Sequence, residues 1–102
     1  MNMTNTTSII IIILFFIDIC KNIKKVFPNV QIWIWSGFLF ETLIKLEKFQ
    51  ELVNYFDVLV DGKFEIDKKD LTLMYRGSSN QRVIDIKETL QNNNQIKFLD
   101  IK

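Results

Sequence analysis

Histidine is absent from this 102-residue chain, and cysteine, proline and glycine are scarce: Cys20, Pro28 and 3 glycines. The lack of histidine removes the commonest general base and the commonest metal ligand. A single cysteine excludes an internal disulfide and any multi-cysteine metal site within the chain. The formal net charge is only +1, so no global field recruits nucleic acid or acidic substrates. At this length the chain forms one small domain or a piece of a larger one, with a feasible but modest core. A reducing, cytoplasmic setting fits the cysteine count. Isoleucine, phenylalanine and asparagine are abundant, which reads as a compositional habit of the source and not as a functional signal.

Residues 1–8 are polar and rich in threonine and asparagine, and disorder is expected there. Residues 9–17 form an unbroken apolar run, too short for an ordinary membrane span of about 20 residues and followed by Asp18. A buried element is the favoured reading, with a membrane-associated or signal-like segment as alternatives. A secretory signal would carry a basic region before the run, whereas Lys21, Lys24 and Lys25 follow it. From Phe16 a helical period appears: Phe16, Ile19, Cys20, Ile23 and Val26 share one face, and Asp18, Lys21, Asn22, Lys24 and Lys25 the other. Pro28 ends this helix. Cys20, on the apolar face, reads as a buried small hydrophobe and not as a reactive thiol.

Residues 30–35 are β-branched and aromatic on both alternating faces, as in a strand covered on both sides. After Ser36-Gly37, the positions of Leu39, Leu43, Leu46, Phe49 and Val53 predict one helix, with Glu41 and Lys45 as a favourable surface pair. Residues 55–60 make a second strand, closed by Asp61-Gly62, with Asp57 a structural or surface residue near its start. Strand, helix, strand with short connections predicts a right-handed crossover and a parallel pair. Ser36-Gly37 and Asp61-Gly62 then lie at the carboxyl ends of their strands, the rim where parallel sheets bind ligands. Asp61 is the best candidate for a polar contact there, level with its reading as an ordinary turn residue.

The connector 64–75 mixes charges with Leu71, Leu73 and Met74; a connector of that length often belongs to a site. It leads into Arg76-Gly77-Ser78-Ser79-Asn80-Gln81-Arg82, a run without an apolar side chain. Arginine offers a planar fork of donors. Gly77 permits a positive φ, which lets several N–H groups point one way. Such a loop can hold an anion, a polar cofactor or a partner's backbone; the bland reading is a solvated connection. A short strand at 83–86, a polar stretch at 87–94 with room for one helical turn, and a weak edge strand at 95–102 complete the chain.

Three segments in this order carry a family resemblance: Ile32-Trp33-Ile34-Trp35-Ser36-Gly37-Phe38; Asp57-Val58-Leu59-Val60-Asp61-Gly62-Lys63-Phe64; and Arg76-Gly77-Ser78-Ser79-Asn80-Gln81-Arg82-Val83-Ile84-Asp85. Together they resemble the carboxyl-terminal half of the anaerobic ribonucleoside-triphosphate reductase activating proteins, small radical-SAM enzymes. The resemblance implies an α/β fold, a fragment of a radical-SAM-type (β/α) barrel around a parallel βαβ core. It divides the chain into a disordered or apolar non-family amino terminus, 1–15, and the activase half, 16–102. In the family a 4Fe-4S cluster and S-adenosylmethionine generate a radical that is passed to a glycine of the reductase. A rim of Ser36, Gly37, Asp61, Gly62, Arg76, Ser78, Asn80 and Arg82 is the expected cofactor- or partner-binding surface.

The departures matter as much. The family's C-x3-C-x2-C motif and its Gly-Gly-Asp-Pro segment are missing, so no cofactor is expected on this chain alone. Ser36-Gly37-Phe38 stands where Thr-Gly-Tyr is common. The implied partners are the reductase and a missing amino-terminal half, as in a split gene; no nucleic acid or membrane partner is implied. Without the family's first strands, residues 30–35 are expected to form an apolar edge that favours poor solubility or pairing, which the run 9–17 could partly cover. The alternatives are a non-catalytic module that docks on the reductase and a small membrane-associated protein.

Overall fold

A computed structural model describes residues 3–99, with side chains from Ser8 onward. The fold is mixed α/β: a three-stranded sheet in the order β1-β2-β3, with helices packed on one face. The elements are α1 (Met3–Val26), β1 (Trp33–Trp35), α2 (Phe40–Leu43), α3 (Glu47–Leu52), β2 (Val58–Asp61), β3 (Arg82–Asp85) and α4 (Ile86–Gln91), with a 3-10 turn at Ile66–Lys68.

The helix α1 begins at Met3, where disorder was expected through residue 8, and continues without a break to Val26. No glycine or proline interrupts it before Pro28, and docking of its middle turns stabilises helix well beyond the docked face. Residues 1 and 2 lie outside the described part. The buried stripe of α1 is Ile13, Ile17 and Cys20, whereas Phe16, Ile19, Ile23 and Val26 are exposed. The predicted face was therefore rotated. Residues 9–17 are apolar all round and set no phase; packing against α3 sets it. Lys24, assigned to the wet side, instead reaches inward to Asp57 at 2.7 Å and to the Val30 carbonyl at 2.6 Å. Asp57 also accepts the Ile32 N–H at 2.7 Å, so one half-buried carboxylate ties α1 to the start of the sheet. Among the described residues, no helix is long and apolar enough to cross a membrane.

The predicted single helix over residues 39–53 is two helices, α2 and α3, separated by an extended Leu46. The break lets Phe40, Leu43, Phe49, Leu52 and Val53 all face the core and leaves Leu39 outside. Phe40, Phe49 and Phe56 meet edge to face, with centroids 6.4 and 6.1 Å apart, a geometry worth about 0.5–1.5 kcal/mol per pair beyond area burial. Leu59, Ile84 and Ile86 are wholly buried; each adds about 1.5–3 kcal/mol.

β1 and β2 pair in parallel, with Trp33 opposite Val58 and Trp35 opposite Val60. Both strands are shorter than expected: β1 starts at Trp33 and β2 at Val58, the latter running through Asp61. β1 is an edge, and Trp35 is 55% exposed, so it is not covered on both faces. β3 pairs with β2 antiparallel, so the sheet is mixed. α4 is capped by Asp85, whose carboxylate accepts the Glu88 N–H at 3.0 Å. The anticipated edge strand at 95–102 is reduced to a bridge between Phe98 and Ile84, supported by the Leu99 N–H on Val83 O at 2.9 Å; residues 100–102 fall outside the described part.

Candidate functional site

Parallel pairing brings the carboxyl ends of β1 and β2 to one edge of the sheet, and the antiparallel course of β3 brings its first residue to the same edge. Asp61 is therefore directly opposite Arg82. The two turns that leave β1 and β2 are joined by the Gly62 N–H on Phe38 O at 3.1 Å. Gly37 and Gly62 both have positive φ, +72° and +87°, a conformation that other residues adopt only with strain. The hydroxyl of Ser36 is spent on its own turn, donating to Phe38 O at 2.6 Å and accepting the Phe38 N–H at 3.1 Å.

Asp61 is fully buried. Its carboxylate accepts the Phe40 N–H at 2.7 Å, Arg82 Nε at 3.0 Å and a terminal Arg82 nitrogen at 2.5 Å. The sequence left it between ligand contact and turn residue. The structure gives it a third role, as the counter-charge that fixes Arg82 and the start of α2. Arg82 turns its outer edge to Glu41, at 2.6 and 3.2 Å. Glu41 was expected to pair with Lys45; the fork of Arg82 offers two aligned donors, which a lysine cannot match. Asp61 first, and Glu41 after it, hold the guanidinium well above its already high ordinary range, so it is a permanent cation.

The loop 76–82 satisfies its own donors. Gln81 is buried and its amide oxygen accepts the N–H groups of Gly77 and Ser78 at 2.9 and 3.2 Å. Its amide nitrogen donates to Gly62 O at 3.0 Å. The converging N–H groups expected to face an anion are thus filled by a side chain from the same loop, which the sequence reading passed over. Ser78 is buried and accepts the Glu65 N–H at 3.2 Å, and Asn80 donates to Lys63 O at 2.7 Å. Two polar atoms are buried here without a partner among the described residues: Arg76 Nε and Asn80 Oδ1.

Gly77 does not have the positive φ expected of it; Tyr75 does, at 67°. A Cβ added at 77 would stand 3.0 Å from Phe64 Cδ1, so the ring would have to give by a few tenths of an ångström. Gly77→Ala is expected to reduce unfolding free energy by about 1–2 kcal/mol through overpacking, read by urea denaturation. A stable variant would show that the Phe64 ring yields freely. The Tyr75 carbonyl accepts Trp35 Nε1 at 2.8 Å, and its ring meets Trp33 with centroids 4.7 Å apart, so the loop is also pinned to β1.

Of the predicted rim, Ser36, Gly37, Asp61, Gly62, Ser78, Asn80 and Arg82 stand on the two turns and the loop that meet at this edge, and Arg76 lies just before them on the loop. Cys20 is elsewhere, within the α1 core, and burial pushes its thiol up. Among the described residues, no group of three or more cysteines or carboxylates could hold a metal ion.

The sheet rim and the helix before it fall within a matched family. A family profile described as a 4Fe-4S single cluster domain covers residues 12–84, and the chain belongs to that family. Its curated relatives are named anaerobic ribonucleoside-triphosphate reductase-activating proteins. That of Pasteurella multocida is 41% identical over 61 residues, 60% of this chain and 39% of the relative. That of Escherichia coli K12 is 41% identical over 69 residues, 65% of this chain and 44% of the relative. That of enterobacteria phage T4 is 41% identical over 61 residues, 60% of this chain and 36% of the relative. The chain thus spans about two-fifths of the length of these relatives. No solved structure matches it. The residues present do not fit the cluster in the family's name: the one thiol is buried and alone, and a 4Fe-4S cluster is held by several thiolates.

Proposed function

We propose that this chain is the carboxyl-terminal portion of an activating protein for anaerobic ribonucleoside-triphosphate reductase. In this reading residues 16–102 are the activase half, and the parallel β1–β2 pair is part of an incomplete radical-SAM-type barrel. Its rim meets the reductase or S-adenosylmethionine, and the chain works in the cytoplasm. The observation that carries the proposal is the rim itself. Asp61 and Arg82, from two of the segments that carry the family resemblance, are locked together by two hydrogen bonds, with Asp61 wholly buried. That unit holds the loop 76–82 against the ends of β1 and β2.

What these residues do is structural and electrostatic. Asp61 orients Arg82, Gln81 shapes the loop, and the Trp35–Tyr75 contact presents an exposed aromatic surface beside it. A 4Fe-4S cluster supplies the electron for S-adenosylmethionine cleavage in the family, and this chain lacks the thiolates to hold one. Activity is therefore expected only when those ligands come from elsewhere. Binding to the reductase tests the assignment. The purified chain should be retained on immobilised anaerobic ribonucleoside-triphosphate reductase, and Arg76→Ala with Tyr75→Ala should weaken retention about tenfold, the loss of roughly 1.4 kcal/mol. No retention of wild type would sink the proposal.

A further inference from the structure

We infer that the outward face of α1 is a self-association surface, on which α1 of a second copy of this chain packs antiparallel. The helix carries two apolar rows. The first, Ile13, Ile17 and Cys20, is buried and holds α1 to the fold. At about 100° per residue, Ile12, Phe15, Ile19, Ile23 and Val26 make a second row, centred roughly 130° round the helix from the first. All five are exposed, Phe15 by 69% and Val26 by 67%. Monomeric soluble proteins rarely leave a continuous apolar row of this kind uncovered.

The occupant follows from the symmetry of the row. Its spacings are three, four, four and three, those of a helix-packing seam, and they read the same in both directions about Ile19. A two-fold axis at Ile19 therefore sets Ile12 against Val26 of the second copy, Phe15 against Ile23, and Ile19 against itself. Every level of the seam is then apolar on both sides, the self-complementarity that an isologous dimer requires.

Charge selects the same arrangement. Residues 3–17 carry no charge, and Asp18, Lys21, Lys24 and Lys25 all lie off the row. Antiparallel packing puts the lysine-bearing half of one helix beside the uncharged half of the other and opposes the two helix dipoles. Parallel packing would bring the two sets of lysines together. The area is also sufficient. Closing the row and its flanking Ile11 and Phe27 would remove roughly 700 Å² per copy, near the roughly 800 Å² per partner of a stable interface.

The test is sedimentation of the purified full chain over a range of concentrations, and a concentration-dependent dimer is expected. Phe15→Glu puts an unpaired carboxylate into the seam, and Ile23→Lys an unpaired ammonium; each should weaken dimerisation at least about tenfold. The double variant Phe15→Glu/Ile23→Lys brings opposite charges face to face only when the copies run antiparallel about Ile19, and should recover most of the loss. Both positions are exposed in the single chain, so helical content by circular dichroism should hold. If a single variant fails to fold, the double variant decides. A wild type that is monomeric at every concentration, or a dimer indifferent to Phe15→Glu, overturns the inference. Losses without recovery in the double variant overturn the antiparallel register. A monomer that instead binds vesicles of phosphatidylcholine and phosphatidylglycerol would give the row to a lipid surface and overturn the choice of occupant. The reductase takes no part in these measurements, so they are read separately from the functional assignment.

Discussion

Arg82→Ala is expected to cost about 3–5 kcal/mol of unfolding free energy, the range for leaving a buried charge without its partner. The charge left behind is Asp61, whose side chain is wholly buried while that of Arg82 is 25% exposed. The Phe40 N–H would remain as its one hydrogen-bond donor. Urea denaturation reads the loss directly, and a change below about 1 kcal/mol would mean that water reaches Asp61. Glu41→Ala makes the contrast. Glu41 is 59% exposed, and its contribution is expected to stay below about 1 kcal/mol. Its pH dependence has a definite sign. The hydrogen bond from Arg82, foremost, holds the Glu41 carboxyl below its ordinary value of 4.5. A lowered folded-state pKa means stability that is complete above the ordinary value and lost as pH falls through the folded one. Wild type should therefore shed this small increment below about pH 4.5, and Glu41→Gln should not.

The second large effect is expected at Gln81. Replacement by alanine removes three hydrogen bonds and strands the N–H groups of Gly77 and Ser78 and the Gly62 carbonyl. The Ser78 N–H and Gly62 carbonyl are buried, at about 1–3 kcal/mol each when unpaired, whereas exposed Gly77 regains water, so a net loss of about 3 kcal/mol follows. Hydrogen exchange locates it: the Gly77 and Ser78 amides should exchange much faster while those of β2 stay protected. Unchanged protection at Gly77 would mean that the loop is shaped by Phe64 and Ser78 alone. The same variant exposes two converging N–H groups at the rim, the arrangement that suits an anion.

Much of the site was legible because it depends on chain order. Strand, turn, helices and strand force β1 and β2 parallel, and parallel strands put Ser36 and Asp61 on one edge. The family resemblance added the loop 76–82 to that edge. The orientation of β3 was not legible. Four residues after a twenty-residue connection carry no sign of direction, and only the antiparallel course places Arg82 opposite Asp61. The division of α2 from α3 has no glycine or proline to announce it. The phase of α1 was hidden by a run that is apolar on every side, and was settled by tertiary contact and by the reach of Lys24 to Asp57. Gln81 was in view as one polar residue among seven; its role arises from the curvature of the loop, which period and composition do not encode.

That Asp61 and Arg82 serve the fold sharpens the functional assignment. A rim whose charges are already paired, and whose donors are filled by Gln81, is a preformed surface. A 4Fe-4S cluster is held by several thiolates, and the chain has one cysteine, buried in its core. The measurement closest to this claim is anaerobic reconstitution of the isolated chain with iron and sulfide, followed by iron quantification and Mössbauer spectroscopy. The expected result is no stoichiometric 4Fe-4S cluster on the chain alone. A stable 4Fe-4S cluster at about one per chain would contradict it.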